Sequence, residues 1–371
     1  MNKKLRRIVL GLLRMSIGAA TGYAAIMPLA LAVKSNHRWI LNSAPIFFGL
    51  ILGVLIGGFI LSVALHELGH VVAGKVVGFR FVFMLFWPVQ ITRKGENGLR
   101  VKLRFRTGLG LGGMAGMVPT DGLDLRKAYL TLLAGGPLAS LLVSVVTRAI
   151  AISLGLGKSL PGSIFWIIGL TSLLLFFLTI VPSNAGGYLS DGAAIMLLKS
   201  GKPEAVGRYI ALLEMASALA TGKRPAEFDK GRLQTLLKAD PTEPIFFHAR
   251  HLSFLHAADN GDLLAARRFS NEIQQHLEKS PVLFRPKYNL DSAWLFAREG
   301  EPEKARKLLE QNNGGLVEPC ELRLIEAEIA LAEGKTDDAR RLAHETIALI
   351  DQSMIPNAHA FTKHRIQEMT N

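Results

Sequence analysis

Cysteine occurs once in the 371 residues, at Cys320, which excludes an internal disulfide and fits a reducing compartment without requiring one. Acidic side chains are also in deficit: 30 Asp and Glu stand against 43 Lys and Arg, a net charge of +13. That surplus is placed as topology rather than as a nucleic-acid surface. Lys3, Lys4, Arg6 and Arg7 precede the first apolar run, and nine basic residues face three acidic ones between Phe79 and Lys127. Basic residues flanking apolar spans mark the cytoplasmic side of a membrane, so no nucleic-acid partner is expected. A phosphate-binding loop is missing too: the glycine-rich stretch Gly108 to Gly116 has no lysine in the required place and reads as a loop at the membrane surface. Charge is wholly absent from Pro45 to Leu65.

What the chain does have is apolar residues, 49% of it, at a mean hydropathy of +0.28. They are unevenly spread. Long charge-poor segments fill the first 200 residues and charged amphipathic patterns fill the rest. The expected fold is therefore mainly α: a polytopic α-helical membrane domain (1–200) of about four transmembrane segments with a small β-containing, membrane-associated loop, followed by a soluble α-helical repeat domain (201–371). The segments are an uncleaved N-terminal anchor over 8–33, a second at 45–76, a third at about 128–156 and a fourth at 164–181. Arg14 interrupts the anchor and Arg148 the third segment, where it is expected to snorkel to an interface. Four crossings from a cytoplasmic N-terminus put both termini in the cytoplasm.

Between the second and third segments the pattern changes. Residues 82–87 and 101–106 read as strands, the latter alternating apolar and basic as a half-buried strand does, with a turn at Glu96-Asn97-Gly98. In the second segment Gly49, Gly53 and Gly57 recur every four residues, a small-residue stripe that predicts a closely packed neighbour helix. Pro137 predicts a kink in the third.

The second segment ends in Leu65-His66-Glu67-Leu68-Gly69-His70. Residues four apart share a helix face, so His66 and His70 can present two imidazoles to one metal ion, while Glu67 projects about 100° away. Two nitrogen ligands and a carboxylate placed as base rather than ligand are what a zinc hydrolase needs. Ionisable residues at membrane depth are costly and usually functional. By contrast, His248, His251 and His256 cluster beyond residue 200, but no acidic partner or cysteine spacing there makes a metal site, and they read as a solvated helix face.

Beyond residue 200 three stretches share a pattern. Gly261, Gly300 and Gly334 are each followed five residues on by Ala-Arg, and each lies between two amphipathic helix patterns, as with Leu322 to Ala332 and Asp337 to Ile350. The arrangement resembles tetratricopeptide-type helical hairpins, which stack into groove-bearing solenoids.

His66-Glu67-x-x-His70 in one apolar segment, with Pro182 and Asp191-Gly192 after another, resembles the site-2 protease family of intramembrane zinc metalloproteases over roughly residues 45–200. The strand-bearing loop and the stretch Ala134 to Ala139 resemble that family as well. The resemblance implies one zinc per chain held by His66, His70 and Asp191, with Glu67 as catalytic base. It implies hydrolysis of a peptide bond in or near the transmembrane segment of a membrane-anchored protein substrate, within the lipid bilayer. The chain departs from the family pattern at Ser140 and Thr179, where asparagine is usual, and in the nine-residue spacing from Pro182 to Asp191. No PDZ or CBS pattern is present; the helical repeats take the regulatory position.

A second Asp-Gly pair, Asp121-Gly122, competes for the third ligand position, as does Asn184. Asp121 follows Pro119-Thr120 in a basic loop, where Asp-Gly is ordinary turn chemistry. Asn184 offers a neutral oxygen and reads as a turn residue. Asp191 follows an apolar segment, and no Lys or Arg lies between Lys158 and Lys199 to pair with it. The competing reading is a catalytically silent membrane scaffold that binds partners through its repeats; in either case residues 201–371 are expected to recruit a cytoplasmic protein. Short loops point to a bacterial inner membrane.

Overall fold

The computed structural model describes residues 23–24, 26–35, 43–94, 98–105, 112–185, 188–311 and 316–370. Most of the expected anchor over 8–33 thus lies outside the described residues, as does Arg14; what is described of it is a short apolar helix, α1, over Ile26–Ser35. Three helices among the described residues are long and apolar enough to cross a membrane: α2 (Ala44–Val76), α3 (Leu125–Ser153) and α4 (Leu160–Ile180). They make the chain a polytopic integral membrane protein. Each large apolar run became one helix because no charged group interrupts its centre and every backbone polar group is satisfied within it. Leu52, Leu142 and Phe177 point outward with more than half their surface exposed, as suits a hydrocarbon solvent.

The chain divides into two compact units. One comprises Met1–Ala73 with Leu133–Val181, the other Gly74–Leu132 with Pro182–Asn371.

In the first unit, Leu29, Val33, Ile51 and Ile167 form a buried apolar cluster. Buried hydroxyls add to it: Ser62 Oγ stands 2.8 Å from Thr171 Oγ1 and accepts from Ser172 Oγ at 2.9 Å, joining α2 to α4. Trp166 Nε1 donates to Ala24 O at 2.9 Å. The guanidinium of Arg148 lies over the Trp166 ring, 5.0 Å from the centroid, a cation–π contact between α3 and α4. The expected glycine stripe meets no neighbour helix among the described residues. A Cβ at Gly49, Gly53 or Gly57 would meet nothing within 4 Å among the described residues, whereas one on Gly69 would come within 2.4 Å of Gly135 O, and one on Gly135 within 2.4 Å of Gly69 O. The close approach of α2 and α3 therefore occurs inside the His66–His70 motif, at Gly69.

The second unit opens with a four-stranded antiparallel sheet, ordered β3-β2-β1-β4: β1 (Phe79–Phe86), β2 (Val89–Lys94), β3 (Gly98–Leu103) and β4 (Gly113–Pro119). Two strands, β2 and β4, were not expected; β4 begins within the glycine-rich stretch, Gly108 to Gly116, that reads as a loop. Gly116 is what allows it, since a Cβ there would meet Phe83 Cε1 at 2.1 Å. The faces of β3 are the reverse of the expectation. Leu99, Val101 and Leu103 are exposed, while the basic side is engaged: Arg104 makes a bidentate pair with Glu318 at 3.2 and 2.7 Å, and Arg100 donates to Asp351 O at 3.0 Å.

The remaining helices of this unit are α5 (Asp191–Ser200), α6 (Pro203–Ala220), α7 (Lys230–Leu237), α8 (Ile245–Asp259), α9 (Leu263–Gln274), α10 (Arg285–Arg298), α11 (Pro302–Glu310), α12 (Pro319–Ala332), α13 (Thr336–Ile350) and α14 (Ala360–Thr370). The three Gly…Ala-Arg stretches join α8 to α9, α10 to α11 and α12 to α13. Gly261, Gly300 and Gly334 have φ of +74°, +76° and +77°, the left-handed C-cap that glycine adopts without steric cost. The alanines, Ala266, Ala305 and Ala339, are buried. Two of the arginines tie successive hairpins: Arg267 Nε donates to Glu299 Oε1 at 2.7 Å, and Arg306 pairs with Glu333, each glutamate standing just before the next turn glycine.

The histidines of α8 are not solvated as expected. His251 is buried with Nδ1 2.5 Å from Asp291 Oδ2, and His256 Nδ1–H donates to Pro225 O at 2.7 Å. The acidic partner of His251 comes from α10, forty residues away, beyond the reach of local pattern reading.

Candidate metal centre

α2 carries His66, Glu67 and His70 in its last third, and all three are buried. The helical repeat brings the two rings to one side: His66 Nε2 and His70 Nε2 are 3.2 Å apart. Two nitrogens bound tetrahedrally at the usual zinc distance would be separated by roughly 3.3 Å, so the pair fits a shared ion.

α3 supplies the wall opposite. Ser140 Oγ lies 2.9 Å from His66 Nδ1. A proton on Nδ1 donated to that hydroxyl leaves Nε2 with its lone pair free, the tautomer a metal ligand needs. Gly136 N–H donates to His70 Nδ1 at 3.3 Å, so ligation through Nε2 requires this ring to move its proton to Nδ1. Gly136 must be glycine for a steric reason: a Cβ there would stand 2.3 Å from His70 Nε2 and 2.6 Å from His66 Nε2. Ser140 was thus under-read from sequence as a departure, and Gly136 was passed over within the stretch Ala134 to Ala139.

Asp191 begins α5. Ser190 caps that helix by accepting from Ala193 N, and Ser190 also closes the preceding insertion: Ser183 N–H donates to Ser190 Oγ at 3.0 Å and Ser190 N–H to Ser183 O at 2.9 Å. The extra residues between Pro182 and Asp191 form a two-stranded ribbon, β5 (Asn184–Ala185) with β6 (Tyr188–Leu189). The wide spacing is absorbed as a hairpin pinched at its base. At the other end of α5, Arg126 donates from Nε to Leu198 O at 2.6 Å and from Nη2 to Lys199 O at 3.1 Å, satisfying carbonyls a helix leaves open. The negative charge of Asp191 is felt at Tyr209, whose pKa is raised first by burial and then by the Tyr129 and Asp191 charges.

His66, His70 and Asp191 each offer one ligand atom, and these atoms lie within 4.8 Å of one another; among the described residues no other group of three such side chains does so. Asp121 is exposed in a turn whose Gly122 has φ +84°, and Asn184 lies in the ribbon. Thr179, the other departure, donates its hydroxyl to Leu175 O at 3.0 Å within its own helix.

A model of peptidase family M50 matches residues 54–352, which takes in the His-Glu motif, Asp191 and most of the C-terminal helices. No curated protein and no solved structure matches the chain.

Proposed function

The chain belongs to peptidase family M50; it is an intramembrane zinc metalloendopeptidase of the site-2 protease type, and we propose how its own residues divide the work. His66 and His70 hold one zinc per chain through Nε2, with Asp191 as the third ligand. The observation that carries this is the convergence of the three ligand atoms within 4.8 Å. A zinc ion there supplies Lewis-acid polarisation of the scissile carbonyl and activation of water.

Glu67 acts as general base. Its carboxylate takes the proton of the attacking water and returns it to the leaving amine. Ser140 holds the His66 ring by accepting from Nδ1–H. The buried setting of all three α2 residues limits water at the reacting carbonyl and strengthens each charge interaction. A substrate helix has to unwind locally before its carbonyl is accessible, because helical carbonyls are engaged in the i to i−4 ladder.

The family assignment implies a membrane-protein substrate and a bilayer setting. Within that reading, cleavage falls in or near the substrate's transmembrane segment, residues 1–200 make up the membrane-embedded catalytic part, and residues 201–371 make up a tetratricopeptide-like part that recruits a cytoplasmic partner. Repeated turn glycines, buried alanines and hairpin-to-hairpin ion pairs support the repeat reading. The basic residues before 8 and within 79–127 support cytoplasmic termini in a bacterial inner membrane. Membership of a protease family and the metal-ligand cluster favour catalysis over the silent scaffold. Cleavage of a single-span substrate co-reconstituted with the full chain, lost on chelation and restored by zinc, tests the reading; cleavage that persists in chelator rejects it.

A further inference from the structure

Asp191 is the first residue of α5, and a helix start makes a competing demand on such a side chain. The first N–H groups of a helix have no partner within it, and aspartate is among the residues that cap them best. The positive end of the helix dipole draws a carboxylate the same way. A carboxylate engaged in capping α5 is lost to a metal ion.

Ser190 takes over that duty. It is the N-cap of α5, with φ −61° and ψ 160°. Its Oγ accepts from Ala193 N–H at 3.2 Å, and its carbonyl accepts from Ala194 N–H at 2.9 Å. The same Oγ accepts from Ser183 N–H at 3.0 Å, and Ser190 N–H donates to Ser183 O at 2.9 Å. A serine hydroxyl has two acceptor lone pairs; here one holds the helix and the other holds the base of the β5–β6 ribbon. The peptide that leads into Asp191 is therefore pinned on both sides by one side chain. Ala194 and Leu198 are buried, which gives α5 a fixed inward face.

We propose that Ser190 is a positioning residue for the third metal ligand. Its hydroxyl caps α5 and ties α5 to the ribbon, which leaves the Asp191 carboxylate for the metal and sets the direction from which it arrives. The proposal rests on Asp191 serving as a zinc ligand. Ser190 acts through Asp191 and not on the substrate. A cap that served stability alone would behave differently, because glycine replaces serine at a helix N-cap with little loss of stability.

Full-length protein in detergent micelles is titrated with zinc against a chelating dye, and with cobalt(II), whose ligand-field spectrum reports the ligands around it. Ser190→Gly keeps a tolerated N-cap, so the thermal midpoint is expected to stay near wild type while zinc affinity falls about 10–100-fold, the usual loss when a ligand's supporting partner goes. Its cobalt spectrum is expected to shift toward that of Asp191→Ala. Ser190→Thr keeps the hydroxyl and is expected to restore both affinity and spectrum. In an Asp191→Ala background, where His66 and His70 remain, Ser190→Gly is expected to weaken zinc no further, because two residues acting through one ligand are not additive. Wild-type affinity and spectrum in Ser190→Gly overturn the proposal. So does a Ser190→Gly loss of equal size in the Asp191→Ala background, or a Ser190→Thr protein that binds no better than Ser190→Gly. Wild-type zinc binding by Asp191→Ala rejects the ligand assignment itself, an outcome read from that variant alone.

Discussion

Ser140 Oγ stands 2.9 Å from Nδ1 of His66, on the side of the ring away from His70. The residue that departs from the family's usual asparagine is therefore placed to orient the His66 ring, with a hydroxyl in place of an amide oxygen. Ser140→Ala removes the acceptor and is expected to weaken zinc affinity by about 10–100-fold, the usual cost of losing such a partner. Ser140→Asn, which restores an acceptor, is expected to stay within a few-fold of wild type. Competition with a zinc-binding dye measures both. Equal affinity for Ser140→Ala and wild type would show that the hydroxyl does not fix the ring.

Two adjacent glycines separate a metal effect from a packing effect. Gly136→Ala places a methyl 2.3 Å from His70 Nε2, and Gly135→Ala places one 2.4 Å from Gly69 O. The first is expected to abolish stoichiometric zinc binding. The second forces α2 and α3 apart and is expected to cost about 1–3 kcal/mol of stability. Metal content and thermal unfolding of the two variants should move in this order; full zinc occupancy in Gly136→Ala contradicts the assigned ligand atoms.

Much of this was legible from the residues, and the misses have a common cause. Long apolar runs became α2, α3 and α4 nearly as bounded, because in hydrocarbon a helix is the only way a single segment satisfies its own backbone. The turn glycines and buried alanines of the hairpins were visible as a repeat because both requirements are local. What failed to show were relations set by distant chain. Gly108 to Gly116 reads as a loop until β1 pairs with its second half as β4 and Phe83 requires Gly116. His251 reads as solvated until α10 brings Asp291. The basic face of β3 reads as outward until Glu318 and Asp351 meet it. The metal ligands were readable because helix periodicity places His66 and His70, whereas the supporting Ser140, Gly136 and Arg126 act across elements.

Acid is expected to loosen the C-terminal helices through His359. Burial first, helped by the charges of Lys287 and Lys363, lowers its pKa below the ordinary 6.5 despite Glu321 and Glu318. The folded state thus binds this proton less readily than the unfolded state does. Above 6.5 both states are neutral there and nothing is lost. As pH falls below that value the unfolded chain protonates first, and stability drops by up to about 1.4 kcal/mol per pH unit until the folded pKa is reached. Hydrogen exchange in α12 and α14, compared at about pH 7.5 and about pH 5.5, should show lower protection in acid, and His359→Gln should reduce that difference. An unchanged difference in the variant would assign the acid sensitivity elsewhere.

The third ligand can be tested against its rivals. Asp191→Ala is expected to lower zinc occupancy and abolish cleavage, while Asp121→Ala and Asn184→Ala keep the metal. Elemental analysis of the three purified variants decides it. Zinc lost from Asp121→Ala and retained in Asp191→Ala would overturn the site.

Glu67→Gln probes the centre of the account most directly, because it separates holding the metal from using it. Zinc content and cleavage of a co-reconstituted transmembrane substrate are measured on the same preparation. The expected result is one zinc per chain, as in wild type, with cleavage reduced by about 10²–10⁴-fold or more for want of the proton acceptor. Wild-type cleavage by a zinc-loaded Glu67→Gln protein would contradict the mechanism.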